Sequence, residues 1–183
     1  MTHGFDTLQI HAGARPDPAT GARNTPIYQT ATFSFEKAEE MADAIMNPLD
    51  NFFYSRTANP TTAALETKMA SLEGTESALV TSSGMAAVAI SILISAKAGD
   101  HVVVTNDLFV ISRQFFEDDC PAMGIDVTMV DVRNLEEVRS AIRPNTTALF
   151  VETVTNPNIY ISNMPALREI ADEHGLTLIA DNT

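Results

Sequence analysis

His101-Val102-Val103-Val104-Thr105 sets the reading of the whole chain. Its valines show no polar alternation, so a strand built from them must hide both of its faces. Comparable short runs occur at Ser77–Thr81, Val127–Val130, Thr147–Val151 and Thr177–Ala180, separated by segments with helical apolar stripes. That rhythm predicts an α/β architecture, a sheet covered by helices on both sides. Ligands of such sheets bind beyond the carboxyl ends of the strands. Four polar or glycine-bearing segments follow strand candidates: Ser82-Ser83-Gly84-Met85, Thr105 to Phe109, Glu152 to Pro157, and Asp181. They are expected to converge on one pocket.

Around this centre the helix signals are local. A helix over Thr61–Leu72 carries Leu65, Met69 and Leu72 on one stripe and stops at Gly74. Asn134 with Glu137 forms a capping-box pattern for a helix running to Ile142, and Asn163 can cap Met164–His174 before the stop at Gly175. Arg168 and Asp172 form an i,i+4 pair on that helix. Residues 1–58 carry scattered aromatics and Pro16, Pro18, Pro26 and Pro48, with one short helix expected around Glu36–Ile45. They read as an extended arm, and residues 59–183 as the first part of a large α/β domain.

Composition narrows the function. A net charge of −13, from 24 acidic against 11 basic residues, opposes nucleic-acid binding. The acidic stretches Glu36–Asp50, Glu117–Asp119 and Glu136–Glu137 read as solvated surface. Cys120 is the only cysteine, so no internal disulfide or cysteine-paired metal site is expected, and a reducing cytoplasmic setting is the simplest reading. Met1–Thr7 lacks the pattern of a secretory signal, and no apolar run is long enough to span a membrane. His11 and His174 have no partners at metal-ligand spacing, so no metal site is expected.

Each candidate site has two readings on spacing alone. Ser83, Gly84 and Met85 form either an ordinary strand-to-helix turn or an anion cradle, in which Gly84 lets the backbone turn tightly and exposed amides face a phosphate. Tyr54 and Arg56 are either a phosphate-binding pair on an extended arm or a surface arginine beside a packed tyrosine. Asp181 follows the apolar run Leu178-Ile179-Ala180 and is either a buried strand-end carboxylate that needs a cationic partner or several donors, or part of a helix cap or local turn.

Taken together, Ile10-His11-Ala12-Gly13, Pro26-Ile27-Tyr28-Gln29-Thr30, Tyr54-Ser55-Arg56 with Asn59-Pro60-Thr61, Ser82 to Met85, Glu152 to Pro157 and Asp181-Asn182-Thr183 resemble the pyridoxal phosphate (PLP) enzymes of cysteine and methionine metabolism. That family includes cystathionine gamma-synthase, methionine gamma-lyase and O-acetylhomoserine sulfhydrylase. The resemblance covers essentially the whole chain. It implies the PLP-dependent transferase fold of type I, with an N-terminal arm plus most of the large mixed-sheet domain, and a C-terminal part absent. It also implies that Tyr54 and Arg56 reach the cofactor phosphate of a neighbouring subunit, that Ser83, Gly84 and Met85 cradle phosphate, and that Asn156 lies near the ring oxygen. Asp181 would pair with the pyridine nitrogen, with Thr183 beside it.

The resemblance carries two departures. The family's cofactor-binding lysine has no match, since Lys37, Lys68 and Lys97 stand outside any matching motif. The chain is therefore expected to be the N-terminal portion of an enzyme about twice its length, inactive alone, with a non-catalytic partner-binding homologue as the alternative. Where the family has a tyrosine followed by glycines, this chain has Phe109-Val110-Ile111. Phe109 keeps the aromatic face for stacking on the cofactor and loses the hydroxyl, which implies slowed γ-elimination or an altered reaction. Arg113 nearby is either a contact for an acidic substrate or half of a surface pair. The implied activity is elimination or replacement at the γ carbon of a sulfur amino acid or O-acylated homoserine, with cystathionine β- or γ-lyase as the rival. The implied assembly is a homotetramer of dimers that share active sites, acting on a small amino acid, with no nucleic-acid or membrane partner.

Overall fold

The computed structural model describes residues 3–48 and 51–183. Asp50, at the end of the acidic stretch beginning at Glu36, lies outside them. The chain divides into two compact units, Met1–Val80 and Thr81–Thr183.

The first unit holds α1 (Phe5–His11), α2 (Ala38–Met46) and α3 (Pro60–Glu73). Helix α1 was not expected, because Gly4 precedes it and offers no capping side chain. Its support comes from α3, whose Lys68 Nζ donates to the Gln9 carbonyl at 2.9 Å. These α1–α3 contacts lie within the first compact unit, which runs through α3 to Val80. Helix α3 starts and stops as its sequence dictates. Asn59 accepts from the Thr61 amide at 2.9 Å, Pro60 occupies the first turn, and Gly74 takes the left-handed conformation that ends it. The same start fastens the preceding segment: Asn59 Nδ2 donates to Tyr28 O at 2.9 Å, and Thr61 Oγ1 to Pro26 O at 2.9 Å. The expected stripe on α3 is not buried, with Leu65 and Met69 both exposed.

Ser77–Thr81 does not form the expected strand. No neighbouring strand pairs with it among the described residues, and Leu79 is 70% exposed. An extended apolar segment becomes a strand only when a ladder partner is present.

The second unit is a four-stranded parallel sheet in the order β2-β1-β3-β4, with β1 His101–Thr105, β2 Asp126–Val130, β3 Thr146–Glu152 and β4 Thr177–Asp181. Its helices are α4 (Gly84–Ser95), α5 (Val110–Gln114), α6 (Cys120–Ala122), α7 (Leu135–Ala141) and α8 (Met164–His174), with a π-helical turn Phe115–Asp119 between α5 and α6. The valines of β1 explain the layering. Val102 and Val104 join Val88, Ile92, Phe116, Cys120 and Phe150 in one core, while Val103 joins Leu149, Val151, Val138, Leu167 and Ile170 in another. One core therefore lies beneath α4 to α6 and the other beneath α7 and α8, the two-sided burial that non-alternating strands require. Cys120 is fully buried, and burial pushes its thiol up to about 11. Asn163 and Gly175 bound α8 as expected. Asn134 caps α7 at the Glu137 amide, but Glu137 turns its carboxylate to the Asp131 amide, so the reciprocal half of the capping box is not formed.

The opposite edge of the sheet is tied by a buried histidine. His101 bonds through its two ring nitrogens to Thr146 Oγ1 at 2.7 Å and Thr128 Oγ1 at 2.9 Å, joining the starts of three strands. Burial and the nearby Arg143 hold its pKa below the ordinary 6.5.

Candidate active site

Parallel strands deliver their carboxyl ends to one edge of the second unit, where Glu152 of β3 pairs in register with Asp181 of β4. Beyond that edge lies a cavity of about 420 Å³. Helix α4 contributes Ser83, Gly84, Met85 and Val88 to it, the segment after β1 contributes Phe109 and Ser112, and the segment after β3 contributes Glu152, Val154 and Asn156. Asp181 and Thr183 complete it from β4.

At the start of α4 the Ser83 hydroxyl is occupied in capping, accepting from the Ala86 amide at 3.2 Å. The amides of Gly84 and Met85, at the first two helical positions, have no protein acceptor among the described residues. Such amides suit an anion. Gly84 itself corrects an expectation. Its φ is not in the left-handed region, so no tight turn calls for a glycine, and a Cβ placed there would meet nothing within 4 Å. The open space belongs to the face where a ligand could approach.

Two loops are laced together at the mouth of the cavity. Glu152 is 4% exposed, and its Oε1 accepts from the Phe109 amide at 2.9 Å while Oε2 accepts from the Asn156 amide at 3.1 Å. Asp107 answers from the other loop, accepting from Thr155 Oγ1 at 2.6 Å and from Asn158 Nδ2 at 2.7 Å. The turn beyond Asn156 is anchored by Arg133, whose guanidinium lies 3.9 Å above the Tyr160 ring. Arg133 also makes a two-pronged pair with Asp131, which holds that carboxyl below the usual range.

Asp181 sits in the local-turn arrangement. Its Oδ1 accepts from both the amide and the hydroxyl of Thr183, at 3.0 and 2.6 Å. Its second oxygen has no protein donor among the described residues. Phe109 is 43% exposed and gives the cavity an aromatic wall, while Ser112 is buried and donates to the Met85 sulfur at 3.6 Å. Arg113 is a surface pair, bonded to Glu117 at 2.7 Å. Tyr54 and Arg56 belong to the first unit, where the Arg56 guanidinium stacks 4.7 Å from the centroid of the Tyr54 ring.

Of the residues singled out in the sequence, Ser83, Gly84, Met85, Phe109, Asn156, Asp181 and Thr183 line the one cavity. Glu152 was expected there only as the first residue of the Glu152 to Pro157 segment, with no role of its own, and Ser112 was not singled out. The signal for Glu152 is the one read at Asp181, a carboxylate directly after an apolar strand. The set offers free amides for an anion, an aromatic and aliphatic wall for a flat ring, and an oriented carboxylate for a cationic nitrogen.

The sequence matches the Cys/Met metabolism PLP-dependent enzyme family over residues 6–183. It is 41% identical to L-methionine gamma-lyase of Porphyromonas gingivalis, over 100% of this chain and 46% of that protein. Among solved structures it superposes on cystathionine gamma-lyase of Lactobacillus plantarum complexed with L-serine, with TM-score 0.89 and 36% identity, over 99% of this chain and 45% of that one. A Campylobacter jejuni structure described as an O-acetylhomoserine (thiol)-lyase, which contains a pyridoxyl-lysine phosphate, gives TM-score 0.93 at 29% identity, over 99% of this chain and 44% of that one. The chain thus spans about half the length of the relatives it matches. Matched along nearly all of its length in both sequence and fold, the chain belongs to the Cys/Met metabolism family of PLP-dependent enzymes.

Proposed function

We propose that the protein acts, in its full-length form, as a PLP-dependent lyase or transferase that eliminates or replaces a group at the γ carbon of a sulfur amino acid or O-acylated homoserine. The observation that carries this reading is the convergence of Gly84, Met85, Phe109, Asn156 and Asp181 on one cavity, in a chain similar to methionine and cystathionine gamma-lyases. The residues fit the cofactor, because the amides of Gly84 and Met85 lack acceptors and the space at Gly84 is open. When bound, PLP supplies an electron sink for negative charge developing at the substrate α carbon.

The chain's own groups divide the remaining work. Gly84 and Met85 hold the phosphate through backbone amides, with the Ser83 cap fixing the helix start that presents them. Thr183 engages one Asp181 oxygen, and the other would hold the proton on the ring nitrogen. Phe109 would cover the ring without a hydroxyl to offer the leaving group, and Asn156 would hold the ring oxygen. We assign Tyr54 and Arg56 to the phosphate of a neighbouring subunit, and residues 1–58 to an arm on that neighbour, within a homotetramer of site-sharing dimers. None of the three lysines suits the covalent role. Lys37 pairs with Glu40, Lys68 is spent on the Gln9 carbonyl, and Lys97 lies ahead of β1, away from the strand carboxyl ends. The lysine therefore comes from sequence outside these 183 residues, and this chain alone is expected to be inactive.

Reconstituting the full-length protein with PLP should give a visible absorption band, and product analysis with O-acetylhomoserine plus sulfide, methionine and cystathionine should identify the reaction. No band, or no turnover with any of them, rejects the function. For the shared site, mixing inactive Arg56→Ala subunits with inactive active-site-lysine variants should restore partial activity. A lack of recovery despite demonstrated subunit exchange rejects it.

A further inference from the structure

Glu152 is the cavity carboxylate whose own role the sequence does not disclose. A carboxylate this buried ordinarily needs a cation, yet no Lys, Arg or His pairs with it among the described residues. Two backbone amides stabilise it instead, one on each oxygen. They belong to the two residues that form opposite parts of the proposed cofactor site, Phe109 and Asn156.

The donor pattern dictates the side chain. Phe109 is the N-cap of α5, so its amide precedes the helical ladder and has no backbone acceptor among the described residues, and Glu152 provides one from the end of β3. The Asn156 amide makes the same demand of the second oxygen. A carboxylate accepts at both positions, whereas a carboxamide would bring an N–H against an N–H. The Glu152 carbonyl also accepts from Ser162 Oγ at 2.6 Å, which fixes the backbone from which the side chain extends. Asp107 works in the reverse direction, reaching from the Phe109 loop to Thr155 and Asn158 on either side of Asn156.

We propose that Glu152 is a positioning residue that sets Phe109 against Asn156, acting as the centre of a two-carboxylate clasp completed by Asp107. This rests on the cofactor-site reading above for its catalytic consequence, but not for its geometry. Glu152 touches no reacting atom. It acts by holding the aromatic wall and the ring-oxygen contact at a fixed separation.

The decisive variant is Glu152→Gln in the full-length protein. In the apo form, hydrogen exchange at the Phe109 and Asn156 amides should accelerate, with His101–Thr105 unchanged. In the holoenzyme the visible circular dichroism of bound PLP should change, and kcat should fall about 10- to 100-fold with KM within about twofold, as expected for a misplaced supporting group. A variant with wild-type exchange, dichroism and kcat overturns the proposal, as does acceleration spread over the whole of β1 and β3, which would give Glu152 a role in the fold alone. Asp107→Ala, at a less buried position, should shift the same signals less far. If Glu152→Gln does not fold, an Asp107→Ala protein with wild-type exchange and dichroism overturns the clasp, and failure of both to fold does so too. Should wild-type protein bind no PLP, the functional reading fails while the apo exchange experiment still decides the clasp.

Discussion

Residues 1–80 and residues 81–183 use their apolar side chains in opposite ways. The second unit spends them inside: Val102, Val103, Val104, Phe116, Leu149, Phe150, Leu167 and Ile170 are almost completely hidden on the two faces of one sheet. Among the described residues of the first unit only Ala44 of the apolar side chains is buried, while Ile27 is 84% exposed and Ile10 67%. Its order comes from side-chain bonds to backbone, such as those of Asn59, Thr61 and Lys68, and from one close backbone approach at Gly13. A segment held by polar fastenings and showing its apolar residues outward is the kind of element expected to gain its packing from another surface.

The contrast is open to three tests. The largest effect is expected in the second unit, where Phe150→Ala should cost about 3–5 kcal/mol in chemical unfolding of this chain, while Ile27→Ala in the first should stay within about 0.5 kcal/mol. Comparable costs would break the comparison. Gly13 comes next. Its φ is +70°, and a Cβ there would lie 2.1 Å from the Ala64 carbonyl oxygen. Gly13→Ala should therefore destabilise the first unit by about 2 kcal/mol, seen as faster proteolysis between α1 and α3, and a silent substitution would mean that this unit is not held by backbone approach.

The third and smallest effect concerns pH and the second unit. His101 has a folded pKa below its ordinary 6.5, so the unfolded chain binds a proton first as the pH falls. Its contribution is present in full above 6.5 and is lost as pH drops from there toward the lower folded pKa, with a slope no steeper than about 1.4 kcal/mol per pH unit, that of one proton. His101→Gln should flatten this part of a stability-versus-pH curve. An unchanged curve would assign the acid sensitivity elsewhere.

What was legible in the sequence follows the same division. In the second unit, Asn163 and Gly175 frame a helix by chemistry that acts within a few residues, and an all-apolar strand announces its two-sided burial. Ser77–Thr81 carries similar letters and forms no strand, because pairing depends on a neighbour and not on the segment itself. Helix α1 lacks a cap and is supported by a lysine 59 residues away from Gln9. At the site, Ser83, Gly84, Met85, Phe109, Asn156, Asp181 and Thr183 were marked because they stand beside strand or motif ends. The role of Glu152 escaped because it lies in two backbone amides, one of them 43 residues distant, which no spacing of side chains displays.

Cys120 gives the second unit a built-in clock. As the sole thiol, fully enclosed and with its pKa pushed up to about 11, it is protonated and shielded at neutral pH. A maleimide added to the native protein can reach it only when the core beneath α4 to α6 opens, so the labelling rate counts those openings without any engineered probe.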